Sequence, residues 1–339
     1  MKWNSSARVA AAFEHREPDR VPLWGTIINR HVYEYVLGAE RAEDAGEVSL
    51  DDKLARHAEV YKTLGIDLTR AQIWPPSRAT PEDHSNVGPV HEVNSENVAT
   101  WQPRFPSIAE RDADVDLRCR QILLNQPHTV FTPTVRGVFC SVFERMGLEE
   151  FSYVCADAPR QIERLMDLQT EYAADLTTRY AARKEVTHVA IVDDMAWKSA
   201  PICDPEWMRR FWIPRLAQVV RPLKAAGKRV IFHSDGKNDM LFPDLIGIGF
   251  DGVNPLEPIA GMDLADLKRR FGKDVTLIGG VDCSQLLPFG TPQKIRDEVR
   301  RLLDIGAPGG GFIIGDSSSV APNTPVKNLL AFYETVLNS

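Results

Sequence analysis

From residue 229 to residue 337 short apolar runs alternate with amphipathic segments without a break, and that alternation limits the fold more than any other feature. Strand-like runs at 229–233, 250–254, 275–281 and 311–315 are separated by helical spacing at 239–248, 263–271 and 291–305, with a last helix at 325–337. Strict strand–helix alternation with short loops means parallel strands, each reached through a helical crossover. The same rhythm runs more faintly through the first two thirds. Strands are expected there at 21–25, 68–73, 129–135 and 186–192, and helices at 6–14, 33–37, 50–64, 108–124, from 141, at 159–184 and at 205–226. That makes about eight units, the count of a (β/α)8 TIM barrel of the α/β class. A doubly wound open sheet is the alternative, but no GxGxxG follows the first strand. Residues 77–105 break the rhythm, with Val87, Val90, Val93 and Val98 spaced among polar residues. They read as a small antiparallel insertion over the strand tips, or as a plain loop. The chain is expected to be one domain, 1–339.

Composition narrows the function classes. Of 339 residues 43% are hydrophobic and 26% charged, and the net charge is −7. No basic run occurs, so nucleic acid is not an expected partner. No stretch reaches the roughly 18 apolar residues of a membrane span, and the opening Met1–Ser6 lacks the apolar core of a signal peptide. The cysteines (Cys119, Cys140, Cys155, Cys203 and Cys283) form no CxxC pair. Reduced thiols in a cytoplasmic setting are the expectation, and a homodimer is the default assembly.

Chemistry in a barrel of this kind sits where strands end. The strand 229–233 closes in His233-Ser234-Asp235-Gly236. Other tips carry Asp193 and Asp194, Glu257, Asp282, and Asp316 with Ser317 and Ser318. So many acids around one imidazole repel each other unless a cation or protons intervene. A divalent metal on His233, Asp235 and Glu257 answers that need: one nitrogen and two carboxylates suit Zn2+ with an open position, and also Fe2+ or Mn2+. The metal-free alternative makes some carboxylates protonated acids and others helix caps. Asp282, Asp316 and Ser318 are candidate catalytic groups, although Asp282 also fits as an N-cap for the turn that follows it. Asp193, Asp194, Arg136, His31, Trp24 and Trp197 are candidate substrate contacts. Only one of the two adjacent aspartates is expected to face the mouth. Core filling is the competing reading for Trp24, Trp74 and Trp197, and a structural role for His31.

With these residues in view, the chain resembles the uroporphyrinogen decarboxylase superfamily over nearly its whole length. The likeness rests on Glu17-Pro18-Asp19-Arg20-Val21-Pro22, His233-Ser234-Asp235-Gly236 and Asn254-Pro255-Leu256-Glu257. Asp263–Lys268 with Phe271-Gly272, Gly279-Gly280-Val281-Asp282 and Ala307-Pro308-Gly309-Gly310-Gly311-Phe312, ending at Pro322 and Pro325, complete it. The resemblance implies a (β/α)8 barrel. The decarboxylase's arginine-rich RQAGRYLPE signature and its FSDI segment are both absent, and its late histidine falls at about Ser318. The resemblance therefore points to the other branch, zinc methyltransferases that work with corrinoid proteins. Their His-x-Cys pair and later Cys align with His233, Asp235 and Ser318. Glu257 stands where the distantly related cobalamin-independent methionine synthases place a glutamate ligand.

Exchanging thiolates for oxygen ligands leaves a metal more positive and a better Lewis acid. Such a site suits an ether or hydroxyl oxygen whose methyl group passes to a Co(I) corrinoid. The expected activity is methyl transfer from a small, methoxylated or methylated substrate to a corrinoid protein, with zinc. The alternative is a metal-free decarboxylase in which Arg136 or Arg30 holds a carboxylate. A scaffold on a retired barrel gains nothing from charge buried in its mouth.

Overall fold

A computed structural model describes residues 3–42, 48–70 and 92–339. Its strands are β1 (Leu23–Trp24), β2 (Leu68–Arg70), β3 (Val130–Thr132), β4 (Thr134–Arg136), β5 (His188–Val192), β6 (Arg229–His233), β7 (Gly252–Leu256), β8 (Thr276–Val281) and β9 (Phe312–Asp316). They pair in parallel in the order β3-β2-β1-β9-β8-β7-β6-β5-β4. β3 and β4 are one strand interrupted at Pro133, which has no N–H to donate; its carbonyl still accepts from Ala190 N at 2.9 Å. Because β3 pairs with β2 and β4 with β5, that interrupted strand closes the ring. The nine segments are thus eight barrel strands, as the sequence rhythm predicts.

The helices follow their local signals. Ser107 caps Ile108–Asn125 in a reciprocal box with Glu110, and Pro159 opens the long Pro159–Ala181 helix at a position where its missing N–H costs nothing. The segment expected at 205–226 is helical but contains a π turn at Met208–Trp212. The expected antiparallel excursion is only partly in view. Trp74, Val87 and Val90 lie outside the described residues, and 92–105 hold turns instead of strands. Asn94 Oδ1 accepts from the N–H of both Glu96 and Asn97, and a local Asx turn of that kind competes with strand pairing.

Side-chain alternation sets up the interior. Trp24, Leu68, Val130, Ala190, Ile231, Ile278 and Ile313 form one buried cluster with Val9, Ala12 and Phe13 of the first helix (Ser5–Phe13). That helix plugs the N-terminal end of the barrel, each large side chain contributing about 1.5–3 kcal/mol by burial. Gly252 is inward as well, for a Cβ there would meet Phe13 at 3.0 Å. Two residues further along a strand a side chain returns to the same face, one layer nearer the C-terminal mouth. Above Leu68, Ile231 and Gly252 that layer holds Arg70, His233 and Asn254. The apolar plug ends there and the polar site begins.

Candidate active site at the barrel mouth

His233 is 3% exposed at the tip of β6, paired in register with Asn254 on β7. Its Nδ1 lies 2.6 Å from Asn254 Oδ1, and its Nε2 3.2 Å from Arg70 Nη1. A guanidinium can only donate, so Nε2 is the accepting nitrogen and Nδ1 carries the proton given to Asn254. Burial first, and the Arg70 charge second, lower the imidazole's pKa to about 3. The ring is neutral.

Asp194 and Asp235 bring carboxylates to this imidazole. One ligand atom each from Asp194, His233 and Asp235 lie within 4.8 Å of one another. Asp194 Oδ1 accepts from the Asp235 N–H at 3.0 Å, and Asp235 Oδ2 accepts from Ser318 Oγ at 3.3 Å. Asp235 Oδ1 is buried without a partner, 3.9 Å from His233 Nε2. Lost solvation, then the nearby charges of Asp194 and Glu257, push the Asp235 carboxyl up to about 7.

Arg70, at the tip of β2, was not among the residues singled out from the sequence. The signal existed: it stands two positions after Leu68, as His233 does after Ile231. Its Nη2 reaches Ser319 Oγ at 3.5 Å and its Nε is buried without a partner. Burial lowers its pKa against the opposing pull of Asp316, Asp235 and Asp194. No ion pair to it is found among the described residues.

The other expected residues fall into different places. Glu257 does not join the three donors; its Oε2 accepts from Gly236 N at 2.8 Å and holds the turn after Asp235. Gly236 is required in that turn, since φ is +87° and a Cβ would approach the Trp197 and Ala196 carbonyls at 2.5 and 2.6 Å. Asp193 is not a mouth residue. It is fully buried and accepts from the N–H groups of Val138, Phe139 and Cys140 and from Trp212 Nε1. Asp194 is the member of the pair that reaches the site. Asp282 Oδ1 accepts from the N–H of Ser284 and Gln285, the capping role that the sequence also allows. Asp316 is buried, with Oδ2 accepting from Thr26 N at 3.0 Å and Oδ1 unpartnered.

Arg136 is bonded to Glu144 and Arg30 to Glu34, so neither offers an idle guanidinium. His31 sits exposed on the helix Arg30–Leu37 beside Glu34. Trp24 belongs to the apolar plug. Trp197 is 53% exposed on the loop after β5, where its carbonyl accepts from Lys237 N.

The donor chemistry fits a divalent ion. One neutral imidazole with its tautomer fixed and two carboxylates is a set that metals of the zinc group accept. Charge agrees: Asp194, Asp235 and Asp316, when ionised, exceed Arg70 by two.

Residues 127–338 match the family "Uroporphyrinogen decarboxylase (URO-D)", more than half of the chain. The chain belongs to the uroporphyrinogen decarboxylase family. Within it, the methylcobamide:CoM methyltransferase MtaA of Methanosarcina barkeri is 28% identical over 170 residues, 50% of this chain and 46% of that protein. A uroporphyrinogen decarboxylase of Xanthomonas euvesicatoria pv. vesicatoria is 29% identical over 179 residues, 51% of this chain and 48% of that enzyme. The chain thus spans about half the length of the curated relatives it matches. A solved structure, a methyltransferase from Methanosarcina mazei, superposes with a TM-score of 0.71 at 16% identity over 99% of both chains, which shows the shared fold. No helix among the described residues is long and apolar enough to cross a membrane.

Proposed function

We propose that this member of the family is a metal-assisted methyltransferase, moving a methyl group from a small, methoxylated or methylated substrate to a corrinoid protein. The observation that carries the reading is the convergence of Asp194, His233 and Asp235 at the barrel mouth. The methyltransferases among the similar proteins support methyl transfer as the class of reaction. A zinc ion held by these three groups would supply Lewis acidity to an ether oxygen, strengthened by carboxylates in place of thiolates.

The chain's own residues prepare that site. Asn254 fixes the His233 ring and its tautomer. Ser318 and Asp194 set the orientation of Asp235, one through its carboxylate and the other through its backbone N–H. The apolar plug closes the floor of the pocket against water from below. In the transfer, the carbon–oxygen bond breaks with its electron pair left on oxygen. Co(I) gives two electrons to form the new carbon–cobalt bond.

Metal analysis of the purified protein, combined with methylation of cob(I)alamin by a panel of methoxylated aromatic compounds, tests this reading. One zinc per chain, lost together with turnover in His233→Ala, is expected. Turnover that persists without metal after chelation would overturn it. A second reading, metal-free decarboxylation of a carboxylated small molecule, draws on Arg70, whose buried Nε has no partner among the described residues. The chelation result decides between the two.

A further inference from the structure

The lone pair of His233 that a metal would use is already taken. With the Nδ1 proton committed to Asn254, Nε2 has one in-plane lone pair, and Arg70 Nη1 donates to it at 3.2 Å. One lone pair cannot both accept that hydrogen bond and coordinate a cation. We infer that Arg70 is the resident cation of the metal-free site, and that metal binding and the Arg70–His233 hydrogen bond exclude each other. The inference rests on the metal reading proposed above.

Three features of the surroundings support it. Arg70 has carboxylates on several sides and is paired with none of them: Asp316, Asp235 and Asp194 all act on it through space, and no described carboxylate lies within ion-pair distance. Among the described residues its other contacts are weak or missing, with Ser319 Oγ at 3.5 Å and Nε bare. A guanidinium held for structure is normally forked onto an acid, as Arg8 is onto Asp19 at 2.7 and 2.8 Å in this chain. Finally, it comes from the strand layer that delivers His233 and Asn254, so its stem is fixed by the barrel.

Without a metal, Arg70 holds together three acids that would otherwise repel. When a metal arrives, the guanidinium must leave Nε2. It is then a positively charged donor at the rim of the loaded site. Arg70 is therefore a positioning residue that sets how readily the site loads, and it is not a ligand.

The test is a calorimetric zinc titration of the full chain after chelation, with Arg70→Met and Arg70→Lys beside the wild type. Removing a charged donor from Nε2 and a unit charge from the site should tighten zinc binding roughly 10- to 100-fold in Arg70→Met. Arg70→Lys keeps the charge without the planar fork and should fall between the two. Wild-type zinc binding with equal or weaker affinity in Arg70→Met overturns the inference and leaves the metal reading standing. If Arg70→Met does not fold, Arg70→Lys decides: affinity at or below that of the wild type overturns the inference. A wild type that takes no zinc, with no gain in either variant, overturns the metal reading itself.

Discussion

Asn254 Oδ1 lies 2.6 Å from His233 Nδ1, on the neighbouring strand and in register with it. That contact decides which nitrogen of the ring faces the mouth, because the proton it holds on Nδ1 leaves Nε2 with the lone pair. Groups that fix the ring of a ligating histidine from behind typically change metal affinity by about 10- to 100-fold when removed. Asn254→Leu should therefore weaken zinc binding by roughly that factor while leaving the three donors in the sequence. Zinc affinity equal to the wild type's in a folded Asn254→Leu protein would remove Asn254 from the site.

Asp194 and Glu257 make opposite predictions. Asp194 contributes one of the three clustered ligand atoms, whereas Glu257 is bonded to the Gly236 N–H. Asp194→Asn is expected to lose stoichiometric zinc. Glu257→Gln, whose amide oxygen still accepts from Gly236, should keep it, with affinity within about tenfold of the wild type. Metal content after gel filtration measures both. Zinc retained in Asp194→Asn and lost in Glu257→Gln would restore the ligand set expected from the sequence.

The neighbouring Asp193 has a different fate. Three backbone N–H groups at the start of the helix Phe139–Asp157 and the Trp212 indole all donate to it. Gly137 makes room, since a Cβ there would collide with this carboxylate. Asp193→Ala orphans four buried donors and should cost about 3–5 kcal/mol of unfolding free energy. Chemical denaturation reads this directly; a loss below about 1 kcal/mol would mean that water replaces the carboxylate.

The barrel was legible because apolar strand runs alternate with amphipathic helices and give way to polar residues at their ends, a pattern that survives without coordinates. His233 and Asp235 were legible for the same reason. The sorting of acids was not. Asp193 and Asp194 are adjacent and identical in type, and only the strand's alternation, which sends one into the helix behind and the other into the mouth, separates them. Glu257 follows Pro255 at the end of β7, where pairing with β8 shifts register between Val253 and Leu256, so counting along the chain could not place its side chain. Arg70 was passed over because one basic residue at a short strand's end has no motif around it; its meaning comes from a histidine 163 residues away.

Asp316 offers a test by pH. It is fully buried, and loss of solvation raises its carboxyl from 3.8 to about 7, with the Thr26 N–H and then Arg70 pulling the other way. In the unfolded chain the group ionises near its ordinary value, so between pH 3.8 and 7 the folded state binds the extra proton. Folding is therefore favoured as pH falls through that window, and the full penalty of ionising Asp316 is present above it. The slope is at most about 1.4 kcal/mol per pH unit. Asp316→Asn has no charge to bury and keeps an acceptor for Thr26. In metal-free protein its stability relative to the wild type should rise between pH 4 and pH 7 and then stay level. Thermal melts of the pair across that range measure the gap. A gap constant with pH would mean that Asp316 is ionised throughout, held by the guanidinium of Arg70.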